Sequence, residues 1–335
     1  MKTLLYSIFG FIFAVFIFSS NVSAKNLSPK ETFLASKAFS TWQGIEPDKW
    51  ATIWLIKRHI QPKAYFQLVP PNTSMPENAI AFGVPSAEIK RSNRKSMFHH
   101  MKAMMSFSLP VLDAMDQVIH DLEVNIWDAP RKENVKWVEA SYRQLQARYQ
   151  RENVPIDCYL TFYDRVAELI VVDTHTVDDY AQHLSLLQEC QGIDEEAVSP
   201  VVEMLDHVQI LREISLGKKI VFIDTREQEE FDEVHLPQGH LLRLRDVNQE
   251  SMKQFLDADL VVPYCVKDFR GFEVAKAMKK YGIKRVATLS PNGLKGWLTA
   301  KLPVVNSEVS EEDAQTALLH CAMEPEQCLL QRGTE

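Results

Sequence analysis

The C-terminal third of the chain alternates β-branched runs with helical patterns, and that order admits few folds. "KIVFIDT", from Lys219, reads as a strand, and "REQEEFDEV" begins a helix. "LVVPYC" is a second strand, "GFEVAKAMKKYG" is a helix that stops at Gly282, and "RVATLS" is a third strand. Strands separated by helices pair in parallel, so the segment predicts an α/β domain with a largely parallel sheet. Glycine marks the same change of architecture. Six of the eleven glycines (Gly217, Gly239, Gly271, Gly282, Gly293, Gly296) fall in this segment, whereas Lys25 to Leu216 has only Gly44, Gly83 and Gly192. Sheets of this kind place ligands beyond the carboxyl ends of their strands, where Cys265 falls.

The middle of the chain reads mainly as helix, including "NVKWVEASYRQLQARYQRE" and "DEEAVSPVVEMLDHVQILREISLG", the second leading into the α/β domain near residue 205. Between Asp48 and Leu122 a helix ("DKWATIWLIKRHI"), a strand ("AYFQLV") and a Pro-rich loop precede more helix, which predicts a mainly helical α+β domain. The expected organisation is a leader at 1–24, an N-terminal domain at 25–130, a helical connection at 131–204, the α/β domain at 205–306 and a tail at 307–335.

Met1 to Ala24 carries Lys2, an apolar run from Leu4 to Phe18 and small residues at Ser23 and Ala24, the pattern of a secretory leader cleaved after Ala24. The alternative, an uncleaved anchor, is disfavoured because about fifteen apolar residues are short for a bilayer-spanning helix. The mature chain is expected in a periplasm or another oxidising, exported compartment, with no membrane attachment. A formal net charge of -8 argues against a nucleic-acid partner. Of the five cysteines, Cys321 and Cys328 could close a small disulfide. Cys158 with Cys190 is a weaker pairing, and if both form, Cys265 remains free.

Cys265 follows an apolar strand and precedes a helix, so backbone N–H groups from Val266 to Gly271 can converge on it. Such a nest stabilises an anion and is expected to lower the thiol pKa. Arg270 adds a permanent positive charge and Lys267 a second, for an oxyanion leaving group. The competing reading is a buried structural cysteine at a strand end.

From Gly217 to Val305 the chain resembles the rhodanese family of sulfurtransferases through "IDTREQEEF", "HLP", "YCVKDFRG", "AMKKYGIKRVATLSPNGLKGW" and "LPVV", in the family's order. The resemblance implies that Cys265 takes a sulfane sulfur, carries it as a persulfide and passes it to a thiophilic acceptor. Val266, Lys267, Asp268, Phe269, Arg270 and Gly271 would form the cradle, and Asp224 and Arg226 would brace it. Asp224 could instead be a helix N-cap. No metal and no organic cofactor are implied, and the partner is a small sulfur-containing substrate or thiol acceptor. Phosphatases and arsenate reductases on a related fold have a longer loop than Val266 to Phe269, so the tighter loop favours sulfur transfer. Asp268 stands where many relatives have glycine, Gly271 where many have a small hydroxyl residue, and Gln238 where the usual motif has glycine. At the loop rim Asp268 would repel a dianion such as thiosulfate unless Lys267 neutralises it, which points to a different donor.

From Asp48 to about Asp121 the chain looks like the C-terminal domain of chromate-resistance B-type proteins, through "DKWATIWLIKRHIQPKAYFQLVP", "FGVPSAEI" and "VIHD". This implies a connection with chromate or oxidative stress. That family's helix cysteine is replaced by Thr52, and its acidic, cysteine and histidine stretch by "RSNRKSMFH". His120 and Asp121 are retained, and two residues do not make a metal site. Met97, His100, Met101, Met104 and Met105 share a helical face that could bind Cu(I), but a core-filling stripe is the favoured reading. Lys90, Arg91, Arg94 and Lys95 form a basic run that could attract an oxyanion, although a solvated face explains it more simply. The leading expectation is an exported sulfurtransferase. Its rivals are a non-catalytic module binding an anion or partner, and a chromate- or metal-handling protein.

Overall fold

The computed structural model describes residues 27–92, 94–126, 133–170, 190, 202–325 and 328. The leader expected at 1–24 lies outside the described residues. Among the described residues, no helix is long and apolar enough to cross a membrane.

The N-terminal region is helix-rich around a small sheet. Helix α1 (Pro29–Ala35) starts at a reciprocal cap between Ser28 and Glu31 and leads into β1 (Ala38–Trp42). Helix α2 (Pro47–Leu55) continues through a π turn, Ile56–Ile60, before β2 (Tyr65–Val69) and β3 (Ile80–Ala81). The strands pair in parallel with β1 central, in the order β2-β1-β3. Four helices follow: α3 (Met97–Met105), α4 (Pro110–Glu123), α5 (Glu133–Ala147) and α6 (Ile156–Ile170). Two phenol hydroxyls tie the last two helices to the start of α2. Tyr142 donates to the Ile45 carbonyl at 3.0 Å and Tyr163 to the Pro47 carbonyl at 2.8 Å. Met97, Met101 and Met105 are buried in the core, as the gap-filling reading expects. The His100 ring hydrogen-bonds the Ser92 hydroxyl instead.

The C-terminal region is an α/β layer structure. Its elements are β4 (Glu203–Leu205), α7 (His207–Ser215), β5 (Ile220–Asp224), α8 (Gln228–Glu233), β6 (Val234–His235) and β7 (Gly239–Leu241). They continue with α9 (Gln249–Met252), β8 (Leu260–Tyr264), α10 (Phe269–Met278), β9 (Ala287–Leu289), α11 (Gly293–Thr299), β10 (Val305–Asn306) and α12 (Glu311–Met323). β5 lies between β7 and β8, and a bridge from Val261 to Val286 connects β8 with the β9-β4 pair, all parallel. The helix expected from Asp194 to Gly217 is not continuous. Residues 194–201 lie outside the described part, Glu203–Leu205 is a strand, and α7 starts afresh at a reciprocal cap between Asp206 and Gln209. α12 packs on α7, and a disulfide joins Cys321 to Cys328 behind it. A second disulfide joins Cys158 to Cys190, which leaves Cys265 as the free thiol.

One apolar core runs through both regions. Phe39, Trp54, Leu112 and Phe162 from the N-terminal side belong to the same cluster as Phe269, Phe272, Val274 and Met278 of α10. A separate cluster, with Val262, Tyr264 and Trp297, fills the other part of the sheet. Helix α10 is therefore packed between its own sheet and the N-terminal helices. Phe272→Ala should cost about 3–5 kcal/mol, the usual range for emptying a buried aromatic site. Urea unfolding should show a single transition for both regions, and two well-separated transitions would contradict the shared core.

Candidate functional site

The site begins with how β8 ends. The Thr225 backbone N–H and hydroxyl both donate to the Tyr264 carbonyl at 3.0 Å, and the Leu236 N–H donates to the Tyr264 hydroxyl at 3.0 Å. The strand is thus fixed one residue before Cys265. Beyond it, the Cys265 carbonyl accepts from the Leu294 N–H at 2.9 Å and the Val266 carbonyl from the Lys295 N–H at 3.0 Å. These donors are orphan N–H groups of the first turn of α11. Gly293 permits this approach, because at φ +51° a Cβ there would overlap the Lys267 and Cys265 carbonyl oxygens. Gly271 is similarly forced, since a Cβ would meet the Pro263 carbonyl at 2.9 Å and the Thr288 hydroxyl at 2.7 Å.

Asp224 and Arg226 are both fully buried and bound to each other. The Arg226 Nη2 donates to Asp224 Oδ2 and to the Val234 carbonyl, both at 2.6 Å. Helix α8 is capped by Glu227, so the N-cap alternative for Asp224 does not hold. The pair sets the β5 end, from which Thr225 reaches Tyr264.

Cys265 is 1% exposed, and its thiol is pushed up rather than down. Burial is the leading cause, and the nearby Glu123 and Asp268 carboxylates reinforce it. The Arg270 guanidinium and a hydrogen bond from the Gly271 N–H act in the opposite direction and are outweighed. The expected lowering by a nest is therefore corrected: its anion-favouring groups are present, but so is a low-dielectric cover.

That cover comes from the N-terminal region. Glu123 closes α4, and its carbonyl accepts from Arg91 at 2.9 Å and from Arg270 at 3.4 Å. The Asn125 carbonyl accepts from Lys295 at 3.1 Å, and Ile126 packs into the cluster of Val266 and Leu294. The loop side chains are held by the same face. Lys267 pairs with Glu139 at 2.8 Å, so the neutralisation of Asp268 that the sequence left open does not come from it. Asp268 is 0% exposed and not at a solvent-facing rim. Its Oδ1 accepts from Arg143 at 2.7 Å and its Oδ2 from Arg151 at 2.9 Å and the Ser290 hydroxyl at 3.0 Å. Burial opposes its ionisation, but the two guanidiniums prevail and hold the carboxyl below its usual range. The same cations lie over rings on α10, Arg143 at 4.7 Å from the Phe269 centroid and Arg151 at 4.4 Å from that of Phe272.

The basic run is not one solvated face. Arg94 is exposed and pairs with Glu233 across the two regions at 3.2 Å, whereas Arg91 is partly buried between Asp48 at 3.5 Å and Glu123 at 3.1 Å. Arg91 and Arg270 line an interregion cavity of about 140 Å³ with Glu123, Glu273, Arg243 and Arg245. A second cavity of about 340 Å³ is bordered by Asp121, Glu139, Arg143 and Lys267. Among the described residues, no group of three or more His, Cys, Asp or Glu side chains could hold a metal ion. The sequence reading missed Glu123 at the end of α4, Arg143 on α5 and Arg151 in the turn that follows α5, none of which belongs to a motif.

With this geometry in place, the family comparisons divide the chain in the same way. Residues 39–170 match the model "ChrB, C-terminal domain", and residues 207–300 match the rhodanese-like domain. The chain thus joins a ChrB C-terminal domain to a rhodanese-like domain, and the first match begins within β1 and ends with α6. No curated protein matches. Among solved structures, a protein from Bacillus halodurans is 20% identical over 39% of this chain and 85% of its own, with a TM-score of 0.29. A Helicobacter pylori protein is 25% identical over 31% of this chain and 90% of its own, with a TM-score of 0.24. A thiosulfate sulfurtransferase from Pseudomonas aeruginosa is 12% identical over 91% of this chain and 67% of its own, with a TM-score of 0.29.

Two outcomes follow from the charges. Asp268→Ala leaves Arg151 without its carboxylate and Arg143 with Glu139 alone, and should destabilise the protein by about 3 kcal/mol in urea unfolding, where a surface pair would cost under ~1 kcal/mol. Burial, opposed by Arg91 and Arg270, pushes the Glu123 carboxyl from 4.5 up to about 7. The folded state then retains a proton that the unfolded chain releases, so this group makes stability fall as pH rises from 4.5 to about 7. Glu123→Gln should remove that fall, about 3 kcal/mol in size, and an unchanged pH profile would contradict the assignment.

Proposed function

We propose that the protein is a rhodanese-type sulfurtransferase in which Cys265 carries the sulfur. The observation that supports this most directly is the placement of its free thiol at the carboxyl end of a parallel strand, with the Gly271 N–H on the sulfur and Arg270 beside it. In the loading step the Cys265 thiolate attacks the outer sulfur of a sulfane donor. The donor's S–S bond breaks, a Cys265 persulfide forms, and the leaving group departs with the bonding electron pair. In the second step an acceptor thiolate attacks the outer sulfur, a new S–S bond forms, and Cys265 leaves as thiolate. No external oxidant or reductant is needed. Arg270 stabilises the thiolate and the negative charge on the leaving group. Val266 and Phe269 shape the loop from within the core, and Lys267 and Asp268 anchor it to α5.

We place the mature protein outside the cytoplasm, on the strength of the leader pattern at 1–24 and the paired cysteines. A link to chromate or oxidative stress rests on the ChrB match alone. Incubation with thiosulfate or a polysulfide, followed by mass measurement of the peptide containing Cys265, should show the gain of one sulfur atom. The gain should be removed by reductant and absent in Cys265→Ser. If no donor adds sulfur to that peptide, the protein is instead a non-catalytic binding module.

A further inference from the structure

The cavity of about 140 Å³ next to Arg270 has two chemically distinct ends, and each carries a buried polar atom without a hydrogen-bond partner among the described residues. One end carries two buried carboxyls. Glu123 comes from α4 and Glu273 from α10, each 1% exposed. Among the described residues, Oε1 of each carboxyl accepts no hydrogen bond. Arg91 at 3.1 Å holds the second oxygen of Glu123, and Lys276 at 3.0 Å that of Glu273. The other end is cationic. Arg245 makes a fork with Glu227 at 3.0 and 2.6 Å, and Arg243 approaches the same carboxylate at 3.6 Å. Arg270 pairs loosely with Glu230 at 3.6 Å and feels the charge of Glu227, and its Nε finds no acceptor among the described residues.

A buried polar atom without a partner is destabilising, and more so when charged. The volume far exceeds the ~10–15 Å³ that one water needs. An anion would satisfy Arg270 but repel the carboxyls, and a cation would do the reverse. A small molecule bearing both an ammonium and a carboxylate satisfies both ends. Arg270 also belongs to the cysteine loop and directly precedes Gly271, whose N–H bonds the Cys265 sulfur, so the cavity adjoins that loop.

We propose that this cavity binds a small zwitterion of the amino-acid class, its ammonium at Glu123 and Glu273 and its carboxylate at Arg270, and that a thiol-bearing member of the class is the sulfur acceptor. The acceptor role rests on the sulfurtransferase reading, whereas the binding does not. In the transfer the acceptor thiolate takes the outer sulfur of the Cys265 persulfide, one S–S bond replaces another, and Cys265 is released as thiolate.

Calorimetry on full-length Cys265→Ser protein tests the binding with no sulfur chemistry, using L-serine as a probe that cannot exchange sulfur. L-serine should bind saturably, and N-acetyl-L-serine and ethanolamine, which each lack one charge, should bind at least about tenfold more weakly. Glu273→Gln in the same background should lose about as much while its circular dichroism stays unchanged. No binding of L-serine at millimolar concentration, or equal binding of the acetylated form, would overturn the site. For the acceptor role, wild-type protein loaded with sulfur should discharge faster to L-cysteine than to N-acetyl-L-cysteine or cysteamine. Equal rates would overturn that role. A protein that binds L-serine but never loads sulfur would refute the sulfurtransferase reading and leave the zwitterion site standing.

Discussion

The fully buried carboxylate of Asp268 is the contact on which the rest of this structure depends. A lone charge in that position would be intolerable, and it is kept ionised by Arg143 at 2.7 Å and Arg151 at 2.9 Å, both from the N-terminal region. Because Asp268 sits inside the loop between Cys265 and Arg270, the ion pairs fix the loop and dock two regions in a single arrangement. Arg143 also donates to the Pro291 carbonyl at 2.7 Å, which ties in the segment leading to α11. The aromatic faces of Phe269 and Phe272 receive the same two cations, so charge and apolar packing converge on α10.

Docking changes the chemistry of the thiol. A loop with inward N–H groups and an arginine stabilises a thiolate when water or a substrate shares the site. Covered by Glu123 to Ile126, the same loop holds a thiol whose pKa is raised by burial and by the carboxylates facing it. Glu123 responds to the same enclosure from the other side, with its own pKa raised to about 7. The closed arrangement thus keeps Cys265 protonated, and its conversion to a nucleophile depends on what enters beside it.

The rhodanese-like half was largely legible in the sequence, because strand, loop and helix there follow local rules. β-branched runs, Gly282 at a helix stop and the Cys265-to-Arg270 spacing are all short-range signals. Less of the N-terminal half could be read. β1, "AFSTW", mixes polar and apolar residues, yet it is the central strand of a sheet covered on both sides. Ser40 and Thr41 are buried there, so no alternation reveals it. Asp268 was misread for a related reason. Its partners are 125 and 117 residues away in sequence, on a helix and a turn whose arginines look like ordinary surface charges. Lys267 was the one neighbour in sequence that could have neutralised it, but adjacent side chains diverge, and Lys267 meets Glu139 instead. Gly271 looked like a departure from a family pattern, and the close approach of Pro263 and Thr288 shows why a side chain does not fit.

The most direct test is the alkylation rate of Cys265 in the native protein, which has no other free cysteine. If docking by Arg143 and Arg151 buries and protonates the thiol, iodoacetamide should react slowly with wild-type protein near neutral pH. The Arg143→Ala/Arg151→Ala variant, still folded by circular dichroism, should react at least about tenfold faster. Equal rates in the two proteins, or fast reaction in the wild type, would contradict the account.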